Sequence, residues 1–342
     1  MPDNSISENF KLKKRKTLTL QEYVNGILEG NRTILSKAIT LVESTREDHH
    51  ALAQEIVNAC LPYSGKSIRI GITGVPGVGK STFIESFGSY TIEQGHKICV
   101  LAIDPSSKRS RGSILGDKTR MEELSLNPEA FIRPSPSAGA LGGVANATRE
   151  SIILCEAAGF DIVMVETVGV GQSEIAVHGM VDFFMLLMLA GAGDELQGIK
   201  RGIMEMADAI LINKADGENL GPAKRAKREY ANALHLFPPA ESGWIPKTEI
   251  CSAVEHTGID KAFSIIEEHH RQMKIKGFFE RKRQTQAREW MHENISSLLK
   301  EDFFRNDEVK NKLHKLENAV LDGQINAYLA AQQLIDLYKS KL

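Results

Sequence analysis

Eight consecutive residues of this chain have the types and the spacing that bind phosphate groups. The run from Gly74 to Ser81 reads Gly-Val-Pro-Gly-Val-Gly-Lys-Ser and fits the pattern G-x-x-x-x-G-K-[ST]. Glycines allow the backbone to curl so that several amide N–H groups point at the phosphates. Residues 67–72 are typical of a short apolar strand, and residues 81–85 are typical of the start of a helix. The sequence therefore predicts a nucleotide-binding loop between a strand and a helix.

Two side chains of this loop have separate predicted roles. Lys80 is expected to reach the β- and γ-phosphates and so to serve hydrolysis, and the Ser81 hydroxyl is expected to bind Mg²⁺. The N-terminus of the following helix adds partial positive charge in the same direction. The residues predicted to contact the nucleotide here are Gly74, Val75, Pro76, Gly77, Val78, Gly79, Lys80, Ser81 and Thr82.

A second motif predicts which base is bound. Asn213-Lys214-Ala215-Asp216 follows the apolar run 209–212. A carboxylate at Asp216 can accept hydrogen bonds from the ring N–H and the amino group of guanine, a donor pair that adenine lacks. Asn213 is expected to tie this loop to the phosphate loop, and the stem of Lys214 is expected to cover a ring face. The motif therefore favours GTP over ATP.

A further short segment fits the same base site. Ser252 and Ala253 follow the apolar pair Ile250-Cys251, where a backbone N–H could meet the carbonyl oxygen of guanine. The dipeptide is uninformative by itself and takes its meaning from the two motifs before it.

Two acidic residues come directly after apolar runs and are predicted metal ligands. Asp104 follows the run 98–103, and Glu166 follows the run 161–165. Ligands of parallel sheets bind at the carboxyl ends of the strands, so both carboxylates should project toward the same edge as Ser81. Mg²⁺ prefers oxygen ligands. The alternative for both carboxylates is helix capping or loop solvation.

The loops beside these carboxylates supply candidates for sensing and hydrolysis. Gly169 could place its N–H on the γ-phosphate, which makes 166–174 a sensor of hydrolysis. Asp117 could hold a metal-bound water, orient the attacking water or be a solvated loop residue. Hydrolysis also needs an oriented water and added positive charge. Gln172 is displaced from the position directly after Gly169, and the candidate cations are Arg109, Arg111, Lys118, Arg120, Lys200 and Arg201.

The composition excludes several classes of protein. The chain has 342 residues, a net charge of −2 and 42% hydrophobic residues, so it offers no global electrostatic case for binding nucleic acid or a membrane. No apolar run approaches the roughly 20 residues that a membrane helix needs. The four cysteines form no C-x-x-C motif, which favours a reducing, cytoplasmic location and makes disulfides and structural zinc unexpected; they are Cys60, Cys99, Cys155 and Cys251.

The order of patterns along the chain predicts an α/β protein. Helical periodicity covers residues 19–60, and apolar runs then alternate with helical segments up to about residue 270. Short apolar runs between helices indicate a mostly parallel sheet with helices on both faces, the three-layer P-loop NTPase fold. We therefore predict an N-terminal helical extension (1–64), a nucleotide-binding domain (65–270) and a C-terminal helical region (271–342).

Five motifs in order resemble one family, the MeaB/ArgK group of P-loop GTPases, to which the methylmalonic aciduria type A proteins belong. The resemblance covers about residues 19–342. Its most diagnostic piece is Glu-Thr-Val-Gly-Val-Gly-Gln-Ser-Glu at 166–174, and the Arg-Ser-Arg at 109–111 departs from the small residues that relatives often have. The other motifs are Asp-Pro-Ser-Ser at 104–107, the segment 112–121, Arg-Pro-Ser-Pro-Ser at 133–137 and Asn-Lys-Ala-Asp at 213–216.

The resemblance implies a function and further site residues. Such proteins hydrolyse GTP to gate the delivery of adenosylcobalamin to a cobalamin-dependent acyl-CoA mutase, chiefly methylmalonyl-CoA mutase, and they protect the mutase from inactivation. The resemblance also implies Asp104, Asp117 and Glu166 around Mg²⁺, and Gln197 and Lys200 in an extra switch. It further implies a homodimer formed through C-terminal helices, with cobalamin as the cargo of the partner. A cobalamin adenosyltransferase is a further expected partner.

Three other functions stay open at the level of sequence. One is an ATPase that energises amino-acid transport, against which Asp216 argues. Another is a metal-insertion GTPase for nickel enzymes, which would need a His/Cys cluster; the only adjacent histidine pairs are 49–50 and 269–270. The third is a non-catalytic switch whose two nucleotide states recruit a helix-rich partner.

Overall fold

The computed structural model describes residues 18–44, 46–104, 121–136, 141–167, 173–191, 201–238 and 240–340; of Asp104 only the backbone is described. Within these residues the chain divides into two compact units, with the division between His270 and Arg271. The three-part division at residues 64 and 270 stays a prediction.

A seven-stranded parallel sheet forms the centre of the first unit. Its order is β3-β2-β4-β1-β5-β6-β7, and each pair of neighbouring strands is parallel. The strands are β1 (Ile68–Gly74), β2 (Ile98–Asp104), β3 (Ala130–Pro136), β4 (Ile162–Thr167), β5 (Phe183–Leu189), β6 (Ala209–Asn213) and β7 (Lys247–Ile250). The central strands are almost continuously apolar because a parallel sheet is buried on both faces. The predicted α/β fold is therefore confirmed.

Helices flank this sheet and connect its strands. They are α1 (Leu20–Leu28), α2 (Arg32–Val42), α3 (Glu47–Cys60), α4 (Lys80–Glu93), α5 (Glu122–Leu126), α6 (Leu141–Ala157), α7 (Ser173–His178), α8 (Arg201–Met206), α9 (Leu220–Leu234) and α10 (Ile259–Ile275). The last of these passes from the first unit into the second. The second unit continues with α11 (Phe278–Arg305), α12 (Asp307–Leu321) and α13 (Ala327–Lys339).

The first three helices belong to the same compact unit as the sheet. They pack on one another, and all three contact α6. Polar contacts reinforce this packing, since Gln54 donates to Glu150 at 2.8 Å and Arg133 of β3 forms an ion pair with Glu43. Capping fixes where the first helix begins, because Thr19 and Glu22 form a capping box. The N-terminal segment is thus helical from Leu20 to Cys60 and packs on α6 within the same unit as the sheet.

Two elements are longer than their sequence patterns predict. The apolar pattern indicates a strand over 131–133, and the structure extends it to Ala130–Pro136 because β3 pairs along its whole length with β2. The helical pattern of the sequence indicates a helix over 148–158, and the structure begins this helix at Leu141. Glycine has low helix propensity, so the pair at 142–143 hides this first turn from a pattern based on propensity.

Candidate nucleotide site

The phosphate loop lies between β1 and α4, as its sequence predicts. Gly74 has φ 154°, and an added Cβ would lie 2.5 Å from the carbonyl oxygen of Leu187 in the neighbouring strand. Gly79 has φ 92°, and its Cβ would lie 3.0 Å from Nδ2 of Asn213. Glycine is required at both positions because L-residues rarely adopt such φ values and because neighbouring atoms fill the space. The loop therefore has the backbone form that anion binding at a helix N-terminus needs.

Lys80 is buried within this loop and bonds to the loop's own backbone. Its Nζ donates to the carbonyl oxygen of Gly74 at 2.8 Å and to that of Val75 at 3.4 Å. Burial lowers the pKa of Lys80, and the nearby carboxylates of Glu166 and Glu174 oppose that effect. The ammonium group thus lies among carbonyl oxygens and two acidic side chains.

The structure brings two of the predicted metal ligands together. The Ser81 hydroxyl donates to Oε1 of Glu166 at 3.2 Å, because α4 begins at the same sheet edge where β4 ends. β4 lies between β1 and β2, so the end of β2 at Asp104 is at that edge too. A hydroxyl and a carboxylate oxygen are a donor set that Mg²⁺ accepts.

Several predicted residues lie outside the described residues. These are Asp117, Gly169, Gln172, Gln197 and Lys200, together with the candidate cations Arg109, Arg111, Lys118 and Arg120. Among the residues that are described, no group of three or more His, Cys, Asp and Glu side chains could hold a metal ion. Arg201 is the first residue of α8, and only its backbone is described.

The predicted base site is assembled from the ends of β6 and β7. Asp216 accepts a hydrogen bond through Oδ2 from the Ser252 hydroxyl at 2.6 Å. Asn213, which is 2% exposed, donates through Nδ2 to the carbonyl oxygen of Val78 at 2.9 Å and accepts through Oδ1 from the N–H of Ala253 at 3.2 Å. Asn213 thereby ties its own loop to the phosphate loop, as its motif predicts, and it also bonds to the loop after β7, which the sequence did not predict.

Lys214 and the loop after β7 complete this end of the site. Lys214 is exposed and has a positive φ of 57°, while Thr82 is exposed on the first turn of α4. The loop after β7, residues 251–258, is called the base loop here. It closes on itself through backbone bonds between Ser252 and Thr257. Gly258 follows, and a Cβ there would lie 2.4 Å from the carbonyl oxygen of Ile250. The base loop is therefore short and sterically fixed.

Motif reasoning missed two side-chain pairs near the site. The Thr167 hydroxyl donates to the Thr73 hydroxyl at 2.8 Å, and both threonines are at most 1% exposed. Ser86 of α4 lies 2.7 Å from Nδ1 of His256 in the base loop, where His256 has φ 53°. No spacing rule could find these pairs, since each joins residues about 90 or more positions apart.

No helix among the described residues has both the length and the apolar character required to cross a membrane.

All four cysteines have free, buried thiols, and burial raises the pKa of Cys60 to about 11 and that of Cys251 to about 12.

Comparison with known proteins identifies the family. Residues 35–308 match the family described as "Methylmalonyl Co-A mutase-associated GTPase MeaB". A Mycobacterium tuberculosis protein named "Probable GTPase" is 48% identical over 93% of this chain and 95% of its own length. The mouse "Methylmalonic aciduria type A homolog, mitochondrial" is 46% identical over 92% of this chain and 79% of its own length. The Escherichia coli "GTPase ArgK" is 43% identical over 94% of this chain and 98% of its own length.

A solved structure agrees with these relatives. The crystal structure of an LAO/AO transport system kinase is 37% identical in sequence, with a TM-score of 0.75, and the match covers 94% of this chain and 100% of that one. Both the sequence relatives and the fold therefore point to one family, and the chain is a GTPase that belongs to the MeaB family of P-loop GTPases.

Proposed function

We propose that this GTPase gates the delivery of adenosylcobalamin to a cobalamin-dependent acyl-CoA mutase of the methylmalonyl-CoA mutase type, and protects that mutase. The observation that carries the proposal is the family match over residues 35–308, because the family description names an association with methylmalonyl-CoA mutase. The mouse relative, named for methylmalonic aciduria, supports the same client.

The base end of the site supports guanine as the base. Oδ1 of Asp216 and the second lone pair of Oδ2 can accept the two guanine donors while Ser252 holds the carboxylate. The N–H of Ala253 is already committed to Asn213, so the carbonyl oxygen of guanine needs another N–H of the same loop or a shared bond. Lys214 is exposed, as a stem that covers a ring face must be.

The phosphate end supports GTP hydrolysis with Mg²⁺. On nucleotide binding, Lys80 exchanges its bonds to the carbonyl oxygens of Gly74 and Val75 for bonds to the β- and γ-phosphates. Ser81 and Glu166 would hold the metal, together with Asp104 and Asp117 if these loops converge as the sequence predicts. Bound Mg²⁺ supplies positive charge against the charge that develops on the transferred phosphoryl group. Gly169, Gln197 and Lys200 are proposed to act from the switch segments.

The C-terminal unit is proposed to form a homodimer interface. Helix α11 exposes Met291, Ile295, Leu298 and Leu299, all more than 40% accessible, along one stretch. Apolar side chains at these spacings on a charged helix are typical of a face that another helix covers. Light scattering should give the mass of a dimer at micromolar concentration, and a monomer would contradict this part of the proposal.

A pull-down with the full chain tests the client. We expect a cobalamin-dependent mutase to be retained from an extract of the native cells when the chain carries a non-hydrolysable GTP analogue. The amount of mutase retained should differ when the chain carries GDP. The variant Lys80→Ala, which lacks the ammonium that would contact the γ-phosphate, is the matched control. Equal recovery without nucleotide, or no mutase under any condition, would contradict the proposed client. A cobalamin adenosyltransferase in the eluate would add that partner, and a cytoplasmic location is part of the same proposal.

A transport ATPase is the second candidate, because the similar crystal structure is named as a transport system kinase. Competition between GTP and ATP decides between the two. The pair of Asp216 and Ser252 favours GTP, and tighter binding of ATP would overturn the guanine assignment.

A further inference from the structure

One buried carboxylate of the first unit has an oxygen without a hydrogen-bond partner beside the phosphate loop. Glu174 is 4% exposed, and its Oε2 is fully enclosed yet bonds to nothing in the described part of the chain. It lies in the first turn of α7, a helix that packs against β1 and β4. Those two strands carry the phosphate loop and Glu166.

Such a group needs a physical explanation. Leaving a buried donor or acceptor unpaired costs about 1–3 kcal/mol, and more when the group is charged. In native proteins such an atom is explained by strain, by a catalytic role, or by a water or ion that completes it. Its neighbour Ser173 also has a buried hydroxyl without a partner in the described residues, so two adjacent side chains share this condition. Glu174 is therefore a candidate for a bond that forms only in another state of the site.

The charges around the phosphate loop indicate that this other state is the nucleotide-bound one. Glu174 lies close enough to Lys80 to act on the ammonium electrostatically, as Glu166 does. Glu166 in turn accepts from Ser81. The two carboxylates thus approach the phosphate loop together. Glu166 bonds to the helix of that loop, whereas Oε2 of Glu174 has no partner in the described residues.

The chemistry of a carboxylate limits its partner in the nucleotide-bound state. An ionised carboxylate only accepts hydrogen bonds, and phosphate oxygens are acceptors as well, so Glu174 cannot bond directly to the nucleotide phosphates. Lys80 is the cation of the phosphates in that state. Among the described residues Oε2 of Glu174 has no donor, and water is a donor that arrives with bound GTP and Mg²⁺. We propose that Glu174 is a positioning residue that accepts a hydrogen bond from a water molecule on the phosphate side of bound GTP.

Two waters share this chemistry, and the experiment separates them. One is the water that attacks the γ-phosphate, and the other is a water in the hydration shell of Mg²⁺. The inference rests on the GTPase activity of the family and not on the mutase client, so it can fail while the client stands.

The test compares Glu174→Gln with the parent in single-turnover GTP hydrolysis and in Mg²⁺-dependent binding of a fluorescent GTP analogue. We expect the rate of hydrolysis to fall at least about tenfold, with GTP affinity changed less than about threefold, since an amide is a poorer acceptor of the same size. An unchanged Mg²⁺ requirement would identify the attacking water. A Mg²⁺ requirement raised several-fold, read from binding alone, would identify a metal-bound water.

Two further variants make the result decisive. Glu150→Gln is the matched control, because Glu150 is also a largely buried carboxylate but bonds to Gln54 in the contact between α3 and α6. It should hydrolyse GTP at the parental rate. If Glu174→Gln does not fold, Glu174→Asp keeps the charge and withdraws the carboxylate by one methylene, and it should show the same loss. Parental hydrolysis and Mg²⁺ dependence in the Glu174 variants, or an equal loss in Glu150→Gln, would overturn the proposal.

Discussion

The two ends of the candidate site differ in how far their polar groups are already paired. At the base end, Asp216 bonds to Ser252 at 2.6 Å, and Asn213 bonds to both Val78 and Ala253. At the phosphate end, Lys80 bonds to the backbone of its own loop, and one oxygen of Glu174 has no partner among the described residues. The base end is thus assembled before the nucleotide arrives, whereas the phosphate end must exchange its hydrogen bonds.

This difference has a consequence for how the GTPase works. A preassembled site costs little ordering free energy on binding, so the base end can supply affinity that GTP and GDP share. Groups that change partners with the phosphates can distinguish GTP from GDP, which is what a switch requires. We therefore expect variants at the base end to change nucleotide affinity and variants at the phosphate end to change hydrolysis.

The largest effect is expected from Lys80→Ala. Removing the only described ammonium of the phosphate loop should lower GTP hydrolysis at least about 100-fold, because charge stabilisation at the transferred phosphoryl group is lost. Phosphate release under saturating GTP measures this. Lys66→Ala, an exposed lysine just before β1, is the control. Retained turnover in Lys80→Ala would refute the assignment of the loop.

Asp216→Asn should act on the base and leave the phosphate end intact. We expect GTP affinity to fall about 10–100-fold, the value of a hydrogen bond to a charged group, while affinity for xanthosine triphosphate rises. Xanthine has a carbonyl where guanine has its amino group, so an amide donor suits it. Equilibrium binding of the two nucleotides measures the shift. Unchanged GTP affinity would show that Asp216 does not read the base.

Ser252→Ala tests whether preassembly matters at the base end. Loss of the bond to Asp216 should weaken binding of both GTP and GDP about 2–10-fold and to the same extent, since one orienting hydrogen bond is worth about 0.5–1.5 kcal/mol. Parallel titrations with the two nucleotides measure the ratio. If only the affinity for GTP fell, Ser252 would act with the phosphate end, and the proposed difference between the two ends of the site would be wrong.

The smallest effect is expected from the threonine pair that joins the strands of the phosphate loop and Glu166. Thr73→Val or Thr167→Val alone leaves one buried hydroxyl without its partner and should lower the free energy of unfolding by about 1–2 kcal/mol. The double variant removes both hydroxyls and should lose less than the sum of the two. Denaturant unfolding of the nucleotide-free chain gives the free energy of unfolding for the parent, the two single variants and the double variant. Additive losses would show that the pair makes no coupled contribution.

Local sequence patterns determine much of this protein. The phosphate loop is predictable because glycine positions, the lysine and the serine are contiguous, and the structure places them between β1 and α4. Six of the seven strands are predictable because strands buried on both faces read as apolar runs. The sequence pattern missed β7, because Lys247–Ile250 reads Lys-Thr-Glu-Ile and is only half-buried. The base motif is predictable from its chain order, since it follows such a run.

The tertiary structure decided which residues far apart in the sequence lie next to one another, which the order of motifs along the chain does not determine. Strand order brings β4 beside β1, and only that neighbourhood puts Glu166 near Ser81 and Thr167 near Thr73, residues about 90 positions apart. The unpaired oxygen of Glu174 is likewise a property of packing, because burial and the absence of a partner are not encoded in spacing. Local propensity is read from neighbours along the chain, whereas contacts across a sheet depend on which strands lie side by side.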